Sequence, residues 1–102
     1  MSTLHTVNKS PFGHGAFLSC LGHCKPGDAV LLIEDGVYGA LDGTSVSDAA
    51  KASLADVSIF VLDGDAKARG IEPGKMLGDV KTVGYDGFVD LVTEHTRTQS
   101  WL

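Results

Sequence analysis

No apolar run in these 102 residues approaches the roughly 20 needed to span a bilayer. Met1 to Val7 also lacks the basic start and apolar stretch of a secretory leader. A cytoplasmic protein with no membrane contact is expected. Cationic residues are few and scattered: eight Lys and Arg against thirteen Asp and Glu leave a formal net charge of -5 and a pI near 5.1. Binding to nucleic acid draws most of its affinity from clustered cations that neutralise phosphates, so direct nucleic-acid binding is not expected. There is no CxxC motif, and only Cys20 and Cys24 are available as thiols. Their four-residue spacing on a helix gives similar directions but poor disulfide geometry. Both are expected to be free, which fits a reducing compartment.

Chain length leaves room for one hydrophobic core, so residues 1–102 form a single domain. Four short apolar runs read as strands: Leu4 to Val7, Ala29 to Ile33, Ser58 to Leu62 and Val80 to Val83. AVLLI and SIFVL are nearly continuous in apolar residues, as in strands covered on both faces. The intervening segments are long enough for crossover helices and too long for hairpins, which makes the chain a series of βαβ units. The fold class is therefore α/β, with a parallel sheet between helical layers.

Ser10 and Pro11 suggest the cap and first residue of the first helix, and Lys25-Pro26-Gly27-Asp28 its end. A second helix is expected over Ser45 to Ala55, with Val46, Ala49, Ala50, Ser53 and Leu54 on one face and a Ser or Thr cap in front. Asp63-Gly64-Asp65 reads as a turn, followed by a helical turn through Arg69 that Gly70 ends. A last helix from Asp86 to His95 places Phe88, Leu91 and Val92 together. The terminal Trp101-Leu102 pair should dock, either as an edge strand or on a partner.

Chemistry centres on the first helix. At helical periodicity Phe17, Leu21 and Cys24 fall close together, with Cys20 at the edge of that stripe. Cys24 is then expected to face the core, and Cys20 to sit at a boundary that a partner can reach. His14, Cys20, His23 and Cys24 supply donors that zinc accepts, but three of them share one helical turn and cannot easily surround an ion. No metal or cofactor is expected. Gly13-His14-Gly15 is a truncated dinucleotide fingerprint, and GIEPGK from Gly70 to Lys75 falls one residue short of a phosphate loop. Asp35-Gly36 and Asp63-Gly64 are read as turns rather than phosphoacceptor carboxylates, because the first strand ends in Asn8-Lys9.

LHTVNKSPF, LLIEDGVYGAL (Leu31 to Leu41), the ARG of Ala68 to Gly70, and the ending YDGFVDLV through Trp101-Leu102 together resemble the DsrH/TusB family of sulfur-relay subunits over the whole length. The resemblance implies a three-layer α/β/α sandwich with a parallel sheet of four or five strands. It also implies assembly with DsrE-like and DsrF-like subunits into an α2β2γ2 heterohexamer, between a TusA-like sulfur donor and a DsrC-like acceptor. The TusB branch serves thiolation of the tRNA wobble uridine and usually lacks a cysteine in the first helix; the DsrH branch, of sulfur oxidation, has one. Cys20 matches that position, so the resemblance points to DsrH and to Cys20 as the catalytic residue, an auxiliary sulfur carrier or acceptor contact beside the principal sulfur-accepting cysteine of the DsrE-like subunit. A TusB-like subunit or a non-catalytic scaffold of the hexamer is the alternative. Persulfide transfer needs one accessible thiolate on each partner and little else, and the chain is expected to be inactive alone.

Overall fold

Five strands form one parallel sheet in the computed structural model, which describes residues 1–102: β1 (Thr3–Val7), β2 (Ala29–Leu32), β3 (Ser58–Leu62), β4 (Lys81–Val83) and β5 (Arg97–Trp101). Their order is β4-β3-β2-β1-β5. The first three connections step in one direction across the sheet. They carry α1 (Ala16–His23), a 3-10 segment Glu34–Ala40 with α2 (Ser47–Ser53), and α3 (Asp63–Ala68). The last connection returns from one edge to the other and carries α4 (Tyr85–Glu94). Because parallel crossovers are right-handed, reversing the direction of travel puts α4 on the opposite face.

The two faces give two apolar clusters. Val7, Val30, Leu32, Ile59 and Val61 meet Phe17, Cys20, Val37, Ala50 and Ala66 on the α1 side, whereas Leu4, Ala29 and Leu31 meet Leu91 of α4 on the other. β2 is buried at all four positions, as its unbroken apolar run requires. The expected α/β sandwich is present, and the terminal residues form its fifth strand, with Val7 opposite Trp101. No helix is long and apolar enough to cross a membrane.

Several local expectations are corrected. α1 begins at Ala16 with Gly15 as an N-cap that offers no side-chain hydrogen bond. Ser10 instead accepts the Phe12 N–H at 3.2 Å, so Ser10 and Pro11 shape a turn in the loop before the helix. The Ser45 to Ala55 segment shortens to α2, capped by Val46 rather than by Ser or Thr. Asp35-Gly36 lies within a 3-10 segment, and Asp63-Gly64 opens α3, where Asp63 and Asp65 complement the positive end of the helix. Val92 of α4 is exposed, leaving Leu91 as that helix's buried residue.

Candidate functional site

Cys20 is completely buried in the α1-side core, at 0% exposure, and Cys24 is half-buried at its margin. This reverses the expected arrangement. Periodicity puts Phe17, Cys20, Leu21 and Cys24 in one stripe, but the way α1 lies on the sheet decides which edge of that stripe is sealed. Phe17 and Cys20 face the core, while Leu21 and Cys24 line a groove of about 240 Å³ with Ala52 and Ser53 of α2 and with Asp56 and Val57. Cys24 is the C-cap of α1: its N–H is still given to Cys20 O at 3.1 Å, and the chain turns out of the helix only after it (φ -68, ψ 145).

The thiols act on each other. Hydrogen bonding with Cys24 pushes the Cys20 thiol far above its ordinary range, and burial and the negative charges of Cys24 and Asp28 add to that. Cys24, as acceptor of the Cys20 S–H, is drawn below the ordinary thiol value despite burial and Asp28.

β1 contributes a residue that the sequence reading missed. His5 is buried, its Nε2 lies 2.9 Å from Asp28 Oδ2, and Trp101 Nε1 donates to its Nδ1 at 3.0 Å. Indole N–H groups only donate, so Nδ1 is the acceptor and the ring proton sits on Nε2, donated to Asp28. Asp28 also accepts the Thr3 N–H at 3.0 Å and the Lys25 N–H at 3.1 Å. Burial raises its carboxyl, but these three donors outweigh that and hold it below the usual carboxylate range.

A ring nitrogen of His5 and the sulfurs of Cys20 and Cys24 lie within 4.8 Å of one another. The set weighed from sequence is not assembled. His14 is exposed in the loop before α1, and His23 gives its Nδ1–H to Ser19 O at 2.7 Å while its ring lies 5.2 Å from Trp101. Asp35 and Asp65 are structural: Asp35 pairs with Arg69 Nε at 2.9 Å, and Asp65 accepts the Glu34 N–H at 2.7 Å. His5 hides in the alternation of LHTV, and Asp28 looks like the last residue of a Pro-Gly turn. Only β5, which brings Trp101 beside β1, reveals the network.

The fold and this site define a small parallel α/β protein that holds two thiols, one sealed and one at a groove, against a buried His–Asp pair. A family model described as "DsrH like protein" matches residues 9–98. Among relatives, a "Protein TusB" of Shigella flexneri is 33% identical over 98 residues, covering 96% of this chain and 99% of that protein. Another, of Pectobacterium parmentieri, is 35% identical over the same coverage. The chain belongs to the DsrH-like (DsrH/TusB) family of sulfur-relay proteins. Two solved structures share the fold: the ychN protein of E. coli (TM-score 0.76, 13% identity, covering 98% of this chain and 99% of that one), and a protein of unknown function, MTH1491, from Methanobacterium thermoautotrophicum (TM-score 0.75, 14% identity, 97% and 96%). These relatives carry the TusB name, whereas the cysteine in α1 had pointed to the DsrH branch.

Proposed function

We propose that the chain is a TusB-like subunit of a cytoplasmic sulfur-relay complex serving 2-thiolation of the tRNA wobble uridine. Its part is to complete the assembly with DsrE-like and DsrF-like subunits, the primary sulfur-accepting cysteine lying on a partner. The supporting observation is the sealed Cys20 sulfur, which has no exposure. Sulfur exchange requires a thiolate that the incoming persulfide can reach. The exposed Tyr85, Val89 and Val92 of α4 suit burial against another subunit.

A second reading, a DsrH-like subunit of sulfur oxidation with Cys20 as carrier, is favoured by the presence of a thiol in α1 and a more accessible one beside it. In that reading the Cys20 thiolate attacks the outer sulfur of a persulfide on a partner protein, and the partner's cysteine leaves as a thiolate. Deleting the gene and quantifying tRNA nucleosides by mass spectrometry separates the readings. The first expects 2-thiouridine derivatives at the wobble position to disappear, and both the wild-type gene and Cys20→Ser to restore them. A deletion that leaves wobble thiolation at the wild-type level overturns it.

A further inference from the structure

We infer that His5, Cys20 and Cys24 form a binding site for a thiophilic divalent cation, a role independent of the sulfur-relay reading. The three donors come from two elements, β1 and the end of α1, and their ligand atoms already lie within 4.8 Å of one another. With metal–ligand bonds of about 2.0–2.3 Å, a tetrahedral zinc ion places its ligands roughly 3.3–3.8 Å apart. Closing that gap requires a contraction of about 1 Å, and Cys24, half-buried at the C-cap where the chain leaves the helix, is the residue placed to make it.

Charge selects the ion. Two thiolates and a neutral imidazole around a dication sum to zero, and the Asp28 carboxylate on His5 adds one negative charge that further favours a cation; two thiolates without a cation would repel each other in a medium that solvates them poorly. Each S–H releases its proton to solvent as the metal–sulfur bond forms, and no group is oxidised or reduced.

The surroundings of His5 match those of a metal-binding histidine. Its Nε2–H is given to a carboxylate, Asp28, which fixes the tautomer and leaves the lone pair on Nδ1. The partner a cation displaces there is the Trp101 N–H, now at 3.0 Å. Asp28 is engaged by His5, Thr3 and Lys25, so the fourth position is left to water or a small exogenous ligand, as in zinc centres with three protein ligands.

The test is titration of the reduced, full-length chain with cobalt(II), followed by displacement with zinc. One equivalent is expected to produce a near-ultraviolet thiolate-to-cobalt band with the intensity of two thiolates, and to change the emission of Trp101, the chain's only tryptophan. Cys24→Ser, at a half-buried position, should halve that band and weaken binding by about ten-fold or more. His5→Gln should keep two thiolate ligands but weaken binding, with circular dichroism confirming that the variant is folded. Absence of the band, or binding that survives Cys24→Ser unchanged and so belongs to exposed histidines and carboxylates, overturns the site. Unchanged affinity in folded His5→Gln overturns the three-ligand assignment.

Discussion

Alanine at Gly36 is expected to destabilise the protein by about 1–3 kcal/mol, toward the upper end, because the obstruction is backbone rather than a movable side chain. A β-carbon there would run into the carbonyl oxygen of Val7, at the end of β1. That carbonyl accepts the Ile33 N–H at 3.0 Å, and Gly36 N–H in turn donates to Ile33 O at 2.8 Å. Relieving the clash therefore pulls apart the junction where β1, β2 and the 3-10 segment meet. Gly22, on the exposed face of α1 with open space around it, is the control: alanine there should be neutral or stabilise by about 0.5–1 kcal/mol through helix propensity. Urea midpoints of both variants measure the difference, and equal effects would refute the close approach.

Asp28→Ala is expected to cost about 3 kcal/mol or more, since it leaves the His5 Nε2–H, Thr3 N–H and Lys25 N–H without their acceptor. The effect carries a pH signature. Asp28 titrates below the ordinary carboxylate value in the folded chain, so its contribution is fully present above the unfolded value and is lost as pH falls through the lower, folded one. The gap in stability between wild type and variant should accordingly be constant near neutrality and narrow on acidification. Urea unfolding at a series of pH values checks this; a gap that widens in acid contradicts the assignment.

The centre of the sheet was legible because AVLLI and SIFVL are nearly continuous apolar runs and the separations of the strands forbid hairpins, whereas the polar, exposed β5 was readable only as one of two ways for the terminal residues to dock. α1 was misplaced at its start because Ser10-Pro11 has the chemistry of a helix opening, and the same residues also serve a turn. The positions of the two cysteines were inverted for a related reason: spacing determines which residues share a stripe, whereas the packing of α1 against the sheet and α2 decides which edge is closed. His5, Asp28 and Trp101 are far apart in sequence, at the first strand, the start of the second and the last, and nothing local in their neighbourhoods announces that parallel pairing of β1 with β2 and β5 joins them. The family was readable from strings such as LLIEDGVYGAL. The structure gives part of that string a physical meaning, since Gly36 must clear the Val7 carbonyl and a β-carbon on Gly39 would come within 3.2 Å of the Phe17 ring.

The chain is an α/β member of its family in which packing has closed off the thiol of α1, and on the proposed reading a partner subunit accepts the sulfur. Reconstituting the complex with its partners, supplying a persulfide donor, and mapping by peptide mass spectrometry which cysteines gain a sulfur atom addresses this most directly. Loading is predicted on a partner's cysteine, with Cys20 unmodified; a stable extra sulfur on Cys20 in the folded assembly would contradict the account.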